Sequence, residues 1–540
     1  MLVCAVTPTR VRLLAAACLS TALASCAPVA DRVAPQDTAV FNVSEDPHSL
    51  DPLLARGDDE RQLAHLSFDL LLDVDASGKL VPALAAQVPN VFNGGVSRDG
   101  RTITYHLRHG VRWQDGAPFT AADVAFTYRA IVDPRNDVVA SPGYRLITSV
   151  DTPNPFLVVL RLSRPWAPAV ATFFSYGTAP MPILPAHLLE RAGALGRLPF
   201  DRAPVGTGAY RLVRWDRGQE LVYAANPAYY RGAPRTPRIV VRVVPDTNTD
   251  LLLLRTGELD WSLLSPAQRA ALQQARDIHF HFAPLAGFGA LAFNCRRGRF
   301  FAAASARRAV AMAIDRHALS AGVTAGQYPI TDSDQPPFSW AYDRGVRLPA
   351  FDERAADRAL DALGWRRGAS GARSKSGQPL QLVFAVFPES DTALRTAVYV
   401  QELLRRRGIG VTIKRVTLAQ FYLPAAQHGV LMSGDYDIAY FAWRSGADPD
   451  DSDLVTCGAA ANYSGLCDRR IDALERSALS ELDQTARAAA YGAIQRLLAQ
   501  DLPYDFLYAP RYGYAARDGF LGLAPTPFSA TWNSYQWSKR

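Results

Sequence analysis

The sequence predicts an α/β protein built from two or three lobes. Its 540 residues exceed the roughly 250–300 residues that one hydrophobic core usually holds. From residue 290 onward, strand-like segments alternate with helical patterns, an order typical of an α/β lobe. The clearest of these segments are 382–386, 392–406, 411–416 and 438–443. The composition, with 49% hydrophobic and 20% charged residues, is that of an ordinary globular chain.

The stretch 99–134 reads DGRTITYHLRHGVRWQDGAPFTAADVAFTYRAIVDP and contains a strand followed by a helix. Ile103 and Tyr105 alternate with polar residues after an Asp-Gly turn, which predicts a half-buried strand. A second Asp-Gly turn follows. Thr120 is then predicted to cap a helix, with the Asp123 side chain accepting a hydrogen bond from the Thr120 amide in a capping box.

A second informative stretch, 204–210, reads PVGTGAY and leads into a predicted hairpin of 210–215 with 220–224. Gly206 and Gly208 permit a close backbone approach, so this stretch is interpreted as a crossover between lobes. A phosphate-binding loop is the competing interpretation. It is disfavoured because no GxxxxGK[ST] motif follows and no helix begins here.

These stretches resemble the extracytoplasmic solute-binding proteins, family 5, which include the oligopeptide-, dipeptide- and nickel-binding proteins of ABC importers. The resemblance covers roughly residues 41–537. It implies an α/β, two-lobed periplasmic-binding-protein fold (type II, large cluster with an extra subdomain), with mixed sheets and hinge crossovers. The implied divisions are lobe I at 39–80 and 204–285, an extra subdomain at 81–203, lobe II at 286–505, and a return to lobe I at 506–540.

The first residues predict a lipoprotein leader. Arg10 and Arg12 precede an apolar run at 13–23, and Leu23-Ala24-Ser25-Cys26 matches a lipobox. A transmembrane helix is the alternative, but the run is shorter than the about 20 residues needed to cross a bilayer. We therefore expect a signal peptide at 1–25, a lipidated Cys26 and a tether at 26–38, with the protein periplasmic or extracytoplasmic.

The cysteines that remain after the leader predict one disulfide. Cys457 and Cys467 lie ten residues apart across a glycine-containing loop, close enough for a bridge. Cys295 is left over and is expected to be a buried thiol. Zinc is not expected, because the chain has no CxxC pair and its histidines lack ligand spacing.

The net charge of +7 is modest for this length, and the arginines that carry it are scattered among acidic residues. No basic stripe with interleaved aromatic residues appears, so nucleic-acid binding is not expected. The expected partners are a small solute, an ABC permease and, through the lipid, a membrane surface. The protein is expected to be a monomer.

The predicted ligand loop is 443–450, which follows a strand end where α/β sheets commonly bind ligands. In the peptide-binding branch of the family, an aspartate three places after the tryptophan pairs with the peptide ammonium. Gly446 occupies that place here, and the loop is one residue shorter. Asp448 is the candidate replacement. For Asp450, Asp451 and Asp453, the alternative is that they cap the next segment or face water. Trp443, Ser445 and Arg444 complete the loop, and Arg444 either binds a ligand carboxylate or pairs with a nearby aspartate.

Aromatic residues are the candidate cleft walls. Phe288 lies between glycines in AGFGALAFN, and Trp340 and Tyr342 lie in PPFSWAYD. Related binding proteins often present an aromatic residue to the ligand at the position of Phe288. Packing in the core is the alternative for each of the three.

The resulting hypothesis is a lipid-anchored receptor of an ABC importer. It captures a short peptide or a similar small polar solute, has no enzymatic activity, and needs no cofactor or metal. One alternative is a periplasmic hydrolase that uses Asp448 and Asp450 as an acid/base pair. A ligand sensor with the same fold is the other, and the sequence does not separate it from import.

Overall fold

A computed structural model describes residues 37–138, 143–177 and 179–540. The predicted leader, Cys26 and nearly all of the tether lie outside the described residues. None of the helices in the described ranges combines the length and apolar content that a membrane span requires. The described chain forms three main sheets, each with its own helices.

The first sheet has seven strands, and its centre is parallel. Thr38–Val43 pairs in parallel with a strand on each side, while the outer strands are antiparallel. In spatial order the strands are Ile278–Pro284, Arg511–Arg517, Trp261–Leu263, Thr38–Val43, Arg238–Val243, Glu220–Ala225 and Tyr210–Asp216. Its helices are Asp58–Ser67, Thr247–Thr256 and Pro266–Ala271. Trp261 stacks on Phe41 with ring centroids 4.4 Å apart, so aromatic packing fills this core.

The second sheet has three antiparallel strands, in the order Thr102–His106, Leu157–Leu162 and Ile147–Asn154. Its helices are Ala121–Val132, Ala169–Thr172 and Ala186–Leu189. The predicted capping box is present: the Thr120 hydroxyl accepts from the Ala122 amide, and the Asp123 carboxylate accepts from the Thr120 amide at 2.8 Å. Local capping therefore begins this helix where the sequence indicates.

The third sheet has five strands of mixed direction. In spatial order they are Gly410–Arg415, Gln381–Val386, Ile438–Arg444, Gly287–Phe293 and Tyr504–Tyr508. Its helices are Ala304–Ala311, Arg316–Thr324, Glu353–Ala362, Asp391–Arg406, Leu418–Tyr422, Val430–Ser433, Ser452–Val455, Arg469–Ser480 and Gln484–Asp501. Strand Tyr504–Tyr508 pairs with the strand at 287–293. The boundary predicted after residue 505 therefore falls inside a strand of this sheet.

Three small sheets complete the fold: Leu72–Val74 with Leu80–Pro82, Arg366–Arg367 with Arg373–Lys375 and Gln378–Pro379, and Phe520–Leu521 with Ser538–Lys539. In the structure a disulfide joins Cys457 to Cys467, with their Cα atoms 4.5 Å apart. Cys295 is partly buried, and burial raises the pKa of its thiol to about 11.

Two short crossovers connect the seven-stranded and five-stranded sheets. Residues 285–286 lead into the five-stranded sheet, and residues 509–510 lead back out of it. The two crossovers run side by side, because the Leu285 amide donates to the Pro510 carbonyl at 2.9 Å. Two adjacent backbone segments are the geometry of a hinge.

The crossover between the seven-stranded and three-stranded sheets depends on two glycines. The Gly208 amide donates to the Ser67 carbonyl at 2.8 Å. A Cβ atom built on Gly206 would lie 1.6 Å from the same carbonyl oxygen. The backbone at residue 67 is therefore too close for any side chain, which explains the glycines of the PVGTGAY stretch.

We predict that Gly206→Ala lowers the free energy of unfolding by about 3 kcal/mol or more, because the new methyl group forces two backbone segments apart. Urea denaturation measures the change. Gly196→Ala is the matched control, since its Cβ would meet only a side-chain carbon at 3.6 Å. Equal stability of the two variants would contradict the close approach.

Candidate functional site

A small cavity of about 40 Å³ lies where the three-stranded, seven-stranded and five-stranded sheets meet, beside the two-stranded hinge. One wall is helix Asp58–Ser67, and the opposite wall is the end of strand Ile438–Arg444. Its lining residues come from distant parts of the chain: Asp58, Arg61, Gln62, Tyr176, Gly177, Pro180, Ala286, Arg444, Ser445, Tyr512, Pro527 and Phe528. We call this cavity the cleft.

Helix Asp58–Ser67 presents polar side chains to the cleft. Asp58, Arg61 and Gln62 share one face because residues three and four apart on a helix are neighbours. The helix start is anchored by the buried Glu60, whose carboxylate accepts from the amides of Arg56 at 2.6 Å and His48 at 2.9 Å. This anchoring holds the polar face in a fixed position.

A charged contact spans the cleft from one sheet to another. The Asp58 carboxylate accepts from Arg61 Nη1 at 3.3 Å and from the Tyr512 hydroxyl at 3.1 Å, and it also pairs with Arg444. Arg444 donates to the Tyr512 hydroxyl at 2.7 Å as well. Asp58 begins the helix on one wall of the cleft, and Arg444 ends the strand on the opposite wall. Their ion pair therefore links the two sides of the cleft.

Backbone contacts beside the cleft also join its two sides. The Ala447 amide donates to the Tyr176 carbonyl at 2.8 Å, and the Ala167 amide donates to the Leu479 carbonyl at 2.8 Å. A Cβ atom on Gly446 would lie 3.1 Å from the backbone of Gly177 and Tyr176. This tight approach favours glycine at the position where the resemblance implies an aspartate.

An aromatic wall lies next to the charged contact. Tyr176 stacks on Phe528 with ring centroids 4.7 Å apart and on His65 at 5.6 Å. The Tyr176 hydroxyl lies 2.5 Å from His65 Nε2 and 3.3 Å from the Asp73 carboxylate. Burial lowers the pKa of His65. The cleft thus combines a charged end with an apolar face, as small-molecule sites generally do.

Asp448, the predicted ammonium anchor, faces a different partner. Its two oxygens accept from the Arg487 guanidinium at 2.6 and 2.8 Å, and both side chains are at most 8% exposed. A buried carboxylate is stable only when paired, and Arg487 supplies that pair. The anchoring role predicted for Asp448 is therefore not supported by its contacts.

Phe288 does not form a wall of the cleft. It is 1% exposed and packs edge-on against Phe506 at 5.0 Å and Phe441 at 6.0 Å. Its strand is an interior strand of the five-stranded sheet, with a neighbour on each side, and is buried along its whole length. The expectation from its flanking glycines is corrected, and the core alternative describes this residue. Trp443, paired with it in register, is half-buried and does not line the cleft.

The other predicted residues divide between the cleft and the surface of the five-stranded body. Ser445 and Arg444 line the cleft, and the Ser445 amide donates to the Ala286 carbonyl at 2.9 Å. Trp340 instead lies against Arg487, with the guanidinium 5.1 Å from the ring centroid. Tyr342 is half-buried in the same loop. Neither aromatic side chain lines the cleft, so the structure does not support them as cleft walls.

At the end of the predicted ligand loop lies a cluster of carboxyl groups, of which Asp334, Asp451 and Glu475 are buried and Asp450 is half-buried. Burial raises the pKa of Asp450 to about 6 and raises the pKa values of Asp451 and Glu475 well above the ordinary range. Within the described ranges, the oxygens of Asp451 and Glu475 find no hydrogen-bond donor. The described residues contain no group of three or more side chains arranged to hold a metal ion. Carboxyl groups of this cluster therefore stay protonated to a higher pH than exposed carboxyl groups do.

Comparison with known proteins identifies the fold and the family. The model of the bacterial extracellular solute-binding proteins, family 5 Middle, matches residues 79–465. The chain belongs to this family. Its members are transport binding proteins and not enzymes, which confirms the expectation of no catalytic activity.

Relatives of this family 5 protein match nearly its whole length. Protein XP55 of Streptomyces lividans is 31% identical over 500 residues, covering 90% of this chain and 86% of that protein. The oligopeptide-binding protein AppA of Bacillus subtilis is 23% identical over 513 residues, covering 93% and 91%. The structure of NikA from Brucella suis in complex with Fe(III)-EDTA has a TM-score of 0.81 at 23% identity, covering 93% and 100%. The two-lobed periplasmic-binding-protein fold is confirmed.

Four residues that line the cleft of this family 5 protein are not among the site residues predicted from the sequence. Asp58, Arg61, Tyr176 and Tyr512 belong to segments that are far apart in the chain. The polar spacing in helix 58–67 was the only local signal, and it resembles that of any solvated helix face. Nothing in the sequence indicated that this face meets Arg444, which is 386 residues away from Asp58.

The buried carboxyl cluster predicts a pH dependence. Because the folded state binds protons at these groups more tightly than the unfolded chain, their titration lowers the free energy of unfolding as the pH rises above about 4. This fall extends through about 6 for Asp450 and to higher pH for Asp451 and Glu475. Asp451→Asn should remove part of this loss and stabilise the protein by about 1–3 kcal/mol at pH 8, with a smaller gain at pH 5.

Urea denaturation of the variant and the parent at pH 5 and pH 8 tests this prediction. Glu45→Gln is the control, because Glu45 is an exposed carboxylate. A variant that is less stable than the parent at pH 8 would show that Asp451 is charged and stabilising in the fold.

Proposed function

We propose that this protein is a lipid-anchored, extracytoplasmic receptor that captures a short peptide or a similar small polar solute. It delivers the solute to an ABC permease in the membrane. The observation that carries the proposal is the cleft itself, which is lined from both sides of the hinge and lies beside its two crossovers. In this proposal the five-stranded sheet and its helices are lobe II, and the seven-stranded sheet with the three-stranded subdomain is lobe I.

The lining of the cleft supports a small polar solute. The enclosed space is about 40 Å³, so in this proposal the two walls move apart about the hinge to admit the solute. Guanidinium, carboxylate, amide and phenol groups at one end provide polar anchors, while Tyr176, Phe528 and Pro527 provide apolar contact. A solute with one charged group and an apolar part fits this arrangement.

The comparisons support the same class of solute. One relative is named for oligopeptide binding, and one structural neighbour was solved with Fe(III)-EDTA. Both ligands are polar and carry several carbonyl or carboxylate oxygens. The cleft of this chain uses different polar residues from those expected for the peptide-binding branch, because Gly446 and the paired Asp448 offer no free carboxylate.

Closure around the solute follows from the hinge. A solute shifts the equilibrium to the closed state by as much as its affinity for the two states differs. The Asp58–Arg444 ion pair and the Ala447–Tyr176 backbone bond form only when the two sides meet. These contacts favour closure, and solute bound between the same walls favours it further.

We predict that a pool of di- and tripeptides raises the melting temperature of residues 27–540, and that native mass spectrometry detects a retained peptide. Free ligand at 100 times its dissociation constant stabilises the folded state by about 2.7 kcal/mol. Ser445→Trp should abolish the shift by filling the cleft. Val213→Trp, on an exposed strand position, is the control. The absence of any shift in the parent would refute peptide capture.

The lipid anchor is tested separately. We predict that the full-length chain partitions with membranes when expressed in bacteria, because a buried acyl chain contributes about 0.8 kcal/mol per methylene. Cys26→Ser should move the protein to the soluble extracytoplasmic fraction without changing peptide binding. Membrane retention of Cys26→Ser would rule out Cys26 as the attachment point.

A further inference from the structure

Two arginines of the cleft have more hydrogen-bond donors than their protein partners use. A guanidinium carries five N–H donors. The structure gives the Arg61 side chain one hydrogen bond, to Asp58, and gives Arg444 two, to Asp58 and Tyr512. Arg61 Nε is buried and has no partner among the described residues. The cleft therefore has a surplus of positively charged donors.

The acceptors of the cleft are already in use. Asp58 is the one carboxylate among the cleft-lining residues of the described chain. One of its oxygens accepts from Arg61, and the other accepts from both Arg444 and Tyr512. With two arginines and one aspartate, the lining has a net charge of +1. An ammonium group entering the cleft would find no free carboxylate, whereas an anion would find free donors.

No second carboxylate is positioned to receive an ammonium group from the neighbouring loop. Gly446 has no side chain, and both oxygens of Asp448 are bound to Arg487. Asp450 and Asp451 belong to the buried cluster and do not line the cleft. The loop that the sequence indicated as an ammonium site thus contributes Arg444 and Ser445 to the cleft instead.

We infer that the cleft binds its solute through a carboxylate group of the solute, held by Arg61 and Arg444, and that a free ammonium group is dispensable. This inference rests on the proposed function and specifies its solute class. A planar carboxylate matches the fork of a guanidinium and accepts two parallel hydrogen bonds. Arg61 lines the cleft, and its unpaired donors include Nε, which is enclosed in this structure and reaches a solute only when the two sides of the cleft move apart.

Asp58 then has a defined part in recognition. It neutralises the two arginines in this structure, and the carboxylate of a solute competes with it for the same donors. Two carboxylates that share two guanidinium groups repel each other, so Asp58 weakens binding of the solute while it links the sides of the cleft. Removing the charge of Asp58 should therefore tighten binding of a carboxylate solute and would weaken binding of an ammonium solute.

Three peptide pools test the inference in the thermal-shift and native mass spectrometry assays. The probes are mixed tripeptides with both ends free, the same mixture acetylated at the amino end, and the same mixture amidated at the carboxyl end. We expect the free and acetylated pools to bind with similar affinity. The amidated pool should bind at least about tenfold more weakly, because a hydrogen bond to a charged group is worth about 1.5–3 kcal/mol.

Two charge variants identify the residues responsible. Arg61→Gln should weaken binding of the acetylated pool about tenfold or more, and Arg61→Lys should restore part of it. The side-chain oxygen of the new Asn can still accept from Arg444, which retains the contact across the cleft, so Asp58→Asn should bind the acetylated pool at least as tightly as the parent. Arg211→Gln, an exposed arginine on strand Tyr210–Asp216, is the matched control and should leave affinity unchanged. The melting temperature of each variant without peptide verifies that it is folded.

The possible failures are distinct. Equal binding of the amidated and free pools would overturn the inference and leave the proposed function intact. Loss of binding on acetylation would show that the ammonium group is required, and weaker binding of the acetylated pool by Asp58→Asn would show that Asp58 does not compete with the solute. Either result would overturn the inference as well. Failure of the parent to bind any of the three pools would overturn peptide capture itself, and with it this inference.

Discussion

The pairing of two short crossovers at the hinge is the constraint on which the rest of the structure depends. Residues 285–286 and 509–510 lie side by side, joined by the bond from the Leu285 amide to the Pro510 carbonyl. Each of the two large sheets has its own buried core. Within the described residues, these two segments are the chain connections between the two sheets, so contacts across the cleft also hold the two bodies in their relative position.

Charges in this protein serve two separate purposes. Asp448 and Arg487 form a buried pair inside one body, where removal of either partner would leave an uncompensated charge. Asp58 and Arg444 form a partly exposed pair between the bodies. The first pair is enclosed, and the second spans the cleft. Burial, and not residue type, distinguishes the two carboxylates.

Sequence patterns predicted the features whose causes are local. The capping box of Thr120 and Asp123, the alternating strand Thr102–His106 and the glycine crossover at 206–208 all depend on residues within a few positions of one another. Phe288 shows the limit of such reasoning. Its glycine neighbours suggested exposure, but its strand is an interior strand of a sheet that is covered on both faces. Whether a strand is interior depends on pairing with segments more than 100 residues away.

The sequence by itself determined the family, the α/β class and the positions of most turns and caps, because these depend on composition, spacing and short-range hydrogen bonding. Only the tertiary structure decided which side chains form the cleft. Asp58, Arg444 and Tyr512 are brought together by the packing of helix 58–67 against two different sheets. A single sequence does not indicate which side chains hundreds of residues apart will be in contact. Each of these segments, taken alone, fits a solvated position as well as a buried one.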